Sequence, residues 1–240
     1  VLEVLDLSVS FRRAGQWNAV VRHINFSLSK GETLAIVGES GSGKSVTAMA
    51  IMQLLPRRSS RIEGSIRLDG RDLLTLGERE ITEVRGNEIA MIFQEPMTSL
   101  NPVMSIGQQI EEPLRFHRGL SSAQAKAESL RLMDRVRIPS AQRRFADFPH
   151  QFSGGMRQRI MIATALACNP KVLIADEPTT ALDVTIQAQI LSLIKELQAE
   201  EQMAVLFITH DMGVVAEIAD RTLVMYRGDA IETGTTSQIF

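Results

Sequence analysis

The chain has little of what disulfide-stapled or membrane-embedded folds need. Its 240 residues contain one cysteine, Cys168, so no disulfide can form within the chain. Cys168 ends the apolar run 163–168, a setting that favours a buried small side chain over a reactive thiol. No apolar run approaches the roughly 20 residues of a membrane-spanning helix, and no signal peptide opens the sequence. We therefore expect any membrane role to come through a partner.

An excess of charge of one sign is also lacking. The formal net charge is −2 at pH 7, so nothing in the overall balance attracts nucleic acid or acidic lipid. The short basic pairs Arg57-Arg58 and Arg143-Arg144 are typical of a solvated surface. A hydrophobic share of 44% and a charged share of 22% fit an ordinary globular protein. Because the sequence begins at Val1 and ends abruptly at Phe240, we expect a piece of a longer chain.

The hydrophobic pattern predicts strands near both ends of the chain. Two alternating segments predict half-buried strands: Leu5, Leu7, Val9 and Phe11, then Ile24, Phe26 and Leu28. Four short apolar runs predict further strands: 33–37, 89–93, 172–175 and 205–208. The last two have the composition of strands buried on both faces of a parallel sheet. Residues 222–226 and 230–233, joined through Gly228, predict a closing hairpin.

Helices are predicted between these strands. Residues 46–55 have helix-length apolar density that stops at Pro56, and residues 185–200 predict a helix with a polar outer face. From 96 to about 165 the pattern is mostly helical. One helix there should begin at a cap and bury a stripe at three-residue spacing: Ser121-Ser122, then Ala127, Leu130 and Met133. The sum is an α/β core with a helical insertion and antiparallel strands near the beginning.

The strongest chemical signal is a glycine-rich loop between a predicted strand and a predicted helix. It fits G-x-x-x-x-G-K-[ST] at every position: Gly38, Glu39, Ser40, Gly41, Ser42, Gly43, Lys44 and Ser45, with Val46 following. Such a loop turns its backbone N–H groups toward one anion, and the helix dipole adds to the attraction. We expect Lys44 to reach the β- and γ-phosphates and the Ser45 hydroxyl to bind Mg²⁺. The loop alone leaves kinase, GTPase, helicase and transporter motor open.

Two adjacent carboxylates follow the apolar run 172–175. Asp176 is expected to hold Mg²⁺ at the end of a Walker B strand, and Glu177 to orient or deprotonate an attacking water. The alternative, two solvated acids at a strand end, is disfavoured by the phosphate loop in the same chain. The pair also favours water as the phosphoryl acceptor, which predicts hydrolysis over kinase chemistry.

The segment FSGGMRQR at residues 152–159 resembles the signature motif of ABC ATPases, whose consensus is LSGGQ. Phe152 and Met156 depart from that consensus, while the central residues are intact. The Ser153 hydroxyl and the amides of Gly154 and Gly155, at a helix start, should form a second anion site, with Met156 beside them. A capped surface helix is the alternative. The MRQR continuation is similar to peptide-importer ATPases.

Further residues match ABC motifs in family order. The resemblance implies that Gln94, the Q-loop glutamine, senses Mg²⁺ and water and communicates with the membrane partner. It likewise implies that Asp183 belongs to the D-loop and that His210 is the switch histidine, catalytic together with Glu177, Lys44 and Gln94. The aromatic that stacks on adenine is left open between Phe11 and Trp17, and an ordinary core role for Phe11 is also open.

The resemblance covers the full chain. It implies a P-loop NTPase (RecA-like) core with an antiparallel β subdomain and a helical insertion that carries the signature. We expect a single nucleotide-binding domain over 1–240, in which 1–95 and 166–240 form the β subdomain and core and 96–165 the helical subdomain. Residues 95–102, EPMTSLNP, are similar to dipeptide, oligopeptide and glutathione importers. Several motifs together are most similar to a glutathione-type importer ATPase.

The same resemblance implies cofactors and partners. ATP and Mg²⁺ should bind between the phosphate loop of one domain and the signature of a second, identical or different, packed head to tail. The implied partners also include transmembrane permease subunits and, indirectly, a substrate-binding protein, but no nucleic acid. The implied location is the cytoplasmic face of the bacterial inner membrane. A DNA-repair type is disfavoured, since no coiled coil or zinc-binding cysteines separate the loop from the signature. A translation-associated ABC protein stays an alternative; Asp176, Glu177 and His210 disfavour a non-hydrolysing sensor.

Overall fold

A computed structural model of the chain describes residues 1–239; Phe240, the last residue of the predicted domain, lies outside the described residues. Within that range the strands are β1 Leu2–Arg13, β2 Gln16–Leu28, β3 Thr33–Val37, β4 Ser60–Leu68, β5 Arg71–Asp72, β6 Ile89–Ile92, β7 Val172–Asp176, β8 Ala204–Thr209, β9 Arg221–Tyr226 and β10 Asp229–Thr235. The α-helices are α1 Lys44–Ile51, α2 Glu78–Val84, α3 Pro96–Ser99, α4 Ile106–Arg118, α5 Ser122–Arg135, α6 Ala141–Arg144, α7 Gly154–Leu166, α8 Val184–Glu201, α9 Met212–Ile218 and α10 Thr236–Ile239.

The chain forms two compact units. One comprises Val1–Thr82 with Gln202–Phe240, and the other comprises Glu83–Glu201. The predicted helical subdomain over 96–165 falls wholly inside the second unit, and its boundaries stay a prediction. Among the described residues, no helix combines the length and the apolar character that crossing a bilayer requires.

An antiparallel sheet opens the first unit, with strand order β2-β1-β4-β5. The predicted inward face of β2 is confirmed, because Ile24, Phe26 and Leu28 are buried. The predicted face of β1 is wrong at Leu5, whose side chain is 40% exposed. The register of β1 shifts between Val4 and Leu7, where Asp6 adopts φ 52°, so the alternation restarts after a bulge.

Gly64 of β4 makes this bulge possible. It has φ +106°, and a Cβ at this position would lie 2.5 Å from the Asp6 carbonyl oxygen and 2.6 Å from that of Leu5. We expect Gly64→Ala to lower the free energy of unfolding by about 3 kcal/mol, because it adds backbone strain and a backbone clash. Gly70→Ala is the matched control: Gly70 has φ +82° with nothing within 4 Å, so about 1 kcal/mol is expected. Urea unfolding of both variants checks this; equal losses would contradict it.

The rest of the first unit contains the strand order β10-β9-β3-β8, in which β9, β3 and β8 are parallel and β10 pairs antiparallel with β9. β3 pairs in parallel with both β8 and β9. Every residue of β8 is buried, as its apolar run predicts, and every residue of β3 is buried as well. The predicted closing hairpin is confirmed as β9 and β10. Because β3 is flanked on both sides, its carboxyl end lies within the sheet and not at an edge strand.

The helix after β3 is shorter than predicted. It begins at Lys44 and ends at Ile51, whereas the apolar density extends to residue 55. Gln53 stops it: this residue takes the left-handed conformation, with φ 50°, that commonly follows a helix C-terminus. Its side-chain amide donates to the Leu73 carbonyl oxygen, which holds the chain in that turn.

The second unit contains the parallel pair β6 and β7, both predicted, and most of the helices. Ser121 caps α5 in a capping box with Gln124, as predicted. The predicted buried stripe of α5 is wrong for Ala127, which is exposed, and Leu130, which is half-buried. The residues that α5 buries are Ala125, Ser129, Leu132 and Met133. Two of them are small, Ala125 and the polar Ser129, so the hydrophobic periodicity of the sequence points to the wrong face.

Cys168 is half-buried, not fully buried as predicted. Its Sγ lies 3.5 Å from the Pro113 carbonyl oxygen. Burial raises the pKa of the Cys168 thiol, and Arg118 partly opposes this. The thiol is therefore protonated at neutral pH, which agrees with the prediction that it is unreactive.

Candidate nucleotide-binding site

The glycine-rich loop connects the buried end of β3 to the start of α1. Gly38, Gly41 and Gly43 have φ of 152°, 81° and 103°, a region that favours glycine. A Cβ on Gly38 would lie 2.1 Å from the Met225 carbonyl oxygen, so no larger residue fits there. A Cβ on Gly43 would lie 3.1 Å from the Val20 carbonyl oxygen, which places β2 directly beside the loop.

The Lys44 side chain lies inside the curl of the loop and bonds to its backbone. Its side chain is buried, at 4% exposure, and its Nζ donates to the carbonyl oxygens of Gly38, at 2.7 Å, and Glu39, at 2.9 Å. The Ser42 hydroxyl is buried and has no hydrogen-bond partner among residues 1–239. A buried ammonium, an unpartnered hydroxyl and a helix N-terminus in one curled loop fit a bound phosphate group. The outer residues Glu39 and Ser40 are exposed, and Ser45 and Val46 on α1 are half-buried.

The two candidate adenine-stacking aromatics lie on the β1–β2 hairpin of the same unit. Phe11 is half-buried between Asn18 of β2 and Ser60 of β4. Trp17 lies opposite Arg12 and is 46% exposed. Because β2 packs beside Gly43, this hairpin lies next to the loop. The choice between the two aromatics stays open.

His210 follows the end of β8 and is exposed. In the parallel pairing of β3 with β8, Val37 is opposite Thr209. Gly38 and His210 therefore follow the carboxyl ends of neighbouring parallel strands, at the same end of the sheet. Asp211 fixes the exit from β8, since its Oδ1 accepts from the amides of Gly213 and Val214 at the start of α9.

Glu177 and Gln94 are brought together in the second unit. Each follows a strand of the parallel pair, in which Ile92 of β6 is opposite Ala175 of β7. The Gln94 side-chain amide donates to Glu177 Oε2 at 3.1 Å. Asp176, the last residue of β7, is buried at 5% exposure. The predicted catalytic carboxylate thus stands beside the predicted Q-loop residue.

Sequence reasoning missed Thr180. Its hydroxyl donates to the same Glu177 oxygen at 2.9 Å, and its amide donates to the Glu177 carbonyl at 3.2 Å. Glu177 itself has φ 46°, an uncommon conformation for a non-glycine residue, which turns its carboxylate into reach of both donors. A threonine three residues after the acid, in a tight turn, is the signal that was available.

The signature residues stand at the start of α7. Ser153 is the N-cap, and its Oγ accepts from the Met156 amide at 3.4 Å. Ser153 and Gly154 are exposed, and a Cβ on Gly155 would lie 2.7 Å from Ile186 Cγ2. Asp183 of the predicted D-loop accepts from the Ile186 amide at 2.9 Å. The signature turn and the D-loop therefore lie side by side, with glycine required at the contact. This geometry suits both the anion site and the capped-helix alternative.

These features define the class: a P-loop nucleotide-binding fold with a capped glycine turn on a helical insertion. The family model described as ABC transporter matches residues 21–180. The chain belongs to the ABC transporter family, so the predicted family and fold class are confirmed. The predicted roles of individual site residues stay predictions.

Relatives and solved structures agree with this assignment. The chain is 60% identical to the glutathione import ATP-binding protein GsiA of Shigella dysenteriae and 58% identical to that of Escherichia coli K12, each over 246 residues. The match covers all of this chain but 40% of the length of those relatives.

Among solved structures, the ATP-binding cassette MJ0796, a dimer in a post-hydrolysis state bound to ADP and Pi, superposes with a TM-score of 0.87 at 28% identity. The superposition covers 98% of this chain and 99% of that one. The cbiO1 protein of Clostridium perfringens, part of the cbiONQ transporter complex, gives 0.83 at 26% identity over 100% and 90% of the two chains.

Proposed function

We propose that this chain is the ATP-binding and ATP-hydrolysing part of an ABC importer for glutathione or other small peptides. The main support is the likeness over its full length to proteins named as glutathione import ATP-binding proteins. Because the chain spans 40% of those relatives, the activity, cargo and partners are all part of the proposal. The same likeness disfavours a translation-associated or DNA-repair role.

ATP is proposed to bind through residues 38–46, with Phe11 or Trp17 against the adenine. The loop amides and Lys44 hold the phosphates, as its buried ammonium and curled backbone suit. Mg²⁺, held by Ser45, Asp176 and Gln94, would neutralise the phosphate charge that develops during transfer. Glu177 orients or deprotonates the attacking water, while Gln94 and Thr180 hold its carboxylate. His210, the proposed switch histidine, acts with them in catalysis.

A second cassette is proposed to complete each site. Ser153, Gly154, Gly155 and Met156 face the phosphate bound by the partner domain, and Asp183 lies at the same interface. The exposure of Ser153 and Gly154 supports this, and a solved neighbour, the MJ0796 cassette, is dimeric. Permease subunits, contacted through residues 96–165, would place the chain on the cytoplasmic face of the inner membrane and link it indirectly to a substrate-binding protein.

The rate of ATP hydrolysis per chain tests this proposal. If the signature acts across a dimer, phosphate release per chain should rise with chain concentration and level off only when dimers dominate. A rate per chain that stays constant while sedimentation shows a monomer would contradict the shared site. Co-purification with membrane subunits supports the transport role, and co-purification with ribosomes would favour the translation-associated alternative.

A further inference from the structure

The two departures from the signature consensus contact one arginine. Arg144, the last residue of α6, places its guanidinium carbon 4.7 Å from the centre of the Phe152 ring. Its Nη1 also lies 3.2 Å from the sulfur of Met156. Guanidinium groups stack on aromatic faces, and a thioether sulfur is a weak acceptor. Phe152 is buried, at 3% exposure, so this stacking takes place largely away from water.

These contacts lie on both sides of the Ser153 turn. Phe152 immediately precedes Ser153, and Met156 supplies the amide that bonds to Ser153 Oγ. That bond is long, at 3.4 Å, so the cap alone holds the turn weakly. An arginine that contacts the residues at both ends of the turn restrains it from outside.

Arg144 is itself fixed in place. Its amide donates to the Ser140 carbonyl and its carbonyl accepts from the Asp147 amide at 2.9 Å. Its side chain is 24% exposed, and its Nε lies 3.7 Å from a carboxylate oxygen of Asp147. The consensus leucine and glutamine offer neither an aromatic face nor a sulfur. The two contacts of Arg144 therefore depend on the phenylalanine and methionine found in this chain.

We propose that Arg144 is a positioning residue of the signature. It holds the turn at 152–156 in the shape that presents the Ser153 hydroxyl and the Gly154 and Gly155 amides to a phosphate. The inference rests on the proposed function, in which that phosphate belongs to ATP on a second cassette. Arg144 acts through Phe152 and Met156 and does not touch the nucleotide.

The first test measures ATP-dependent dimerisation by sedimentation in an E177Q background, where bound ATP persists. R144A should weaken the dimer about tenfold, and R144K nearly as much, because lysine lacks the planar stacking group. R143A is the matched control, since Arg143 is the exposed neighbour on α6. Affinity for ATP at low chain concentration should stay unchanged. Full dimer strength in R144A or in R144K overturns the proposal.

The second test is a double-mutant cycle that removes both contact partners of Arg144. In an F152L/M156A chain, R144A should change the dimer constant less than twofold, since the aromatic ring and the sulfur that Arg144 contacts are gone. Equal losses in both backgrounds overturn the coupling. Hydrogen exchange of the amides at 154–157 gives the same cycle without ATP: R144A should speed exchange only where Phe152 and Met156 are present. If E177Q never dimerises with ATP, the proposed function fails, while the exchange cycle still decides the role of Arg144.

Discussion

Glu177→Gln should leave ATP affinity within about twofold of the original while lowering turnover by roughly 10²–10⁴-fold, the usual contribution of a general base. Glutamine keeps an oxygen that accepts from Gln94 and Thr180, so the local hydrogen bonds persist while the basic group is removed. The loss therefore reports on proton abstraction and not on a disturbed loop. Single-turnover phosphate release and nucleotide titration measure the two quantities separately.

Glu3→Gln is the matched control for this charge change. Glu3 is an exposed residue of β1 in the other unit, so its neutral variant should hydrolyse ATP at the original rate. Turnover of Glu177→Gln within threefold of the original would remove Glu177 from its assigned role. A parallel loss of ATP affinity would mean that the substitution disturbs binding and would contradict the assignment as well.

Lys44→Met should lower ATP affinity by at least about a hundredfold. The substitution removes the buried ammonium inside the loop, and with it the hydrogen bonds that we propose Lys44 makes to the β- and γ-phosphates. Hydrogen bonds to charged groups contribute about 1.5–3 kcal/mol each. The apolar side chain also offers nothing to a phosphate. Calorimetric titration with ATP measures the loss.

Lys30→Met controls for the lost charge, because Lys30 is exposed in the turn before β3, and we expect its ATP affinity to be unchanged. Thermal unfolding without nucleotide separates binding from folding: Lys44→Met should unfold within a few degrees of the original. ATP affinity within threefold of the original in Lys44→Met would exclude the loop as the phosphate site.

The elements that follow from local sequence were predictable. β3, β7 and β8 are continuous apolar runs, and Ser121 is a capping residue before a helix, so each carries its own signal. The errors have distant causes. Leu5 turns outward because the bulge at Asp6 is accommodated by Gly64, far along the chain. The strand pattern around Leu5 contains no trace of that partner.

The candidate site shows the same division. The phosphate-loop motif identifies its residues directly from the sequence. Parallel pairing of their strands implies that Gln94 and Glu177 follow strand ends on the same side of the sheet. Thr180 and Arg144 were not predicted. The reach of Thr180 depends on the left-handed conformation of Glu177, and that of Arg144 depends on where α6 ends relative to α7. Neither the backbone conformation of Glu177 nor the position of the end of α6 can be obtained from residue type and spacing alone.

The central claim is that each ATP site combines the phosphate loop of one chain with the signature of another. Mixing two inactive variants, Lys44→Met and Ser153→Arg, tests it most directly. Their mixed dimer pairs one intact loop with one intact signature, so ATP hydrolysis absent from either variant alone should return, to roughly a quarter of the wild-type rate for random pairing and independent sites. A mixture no more active than its separate components would contradict the shared site.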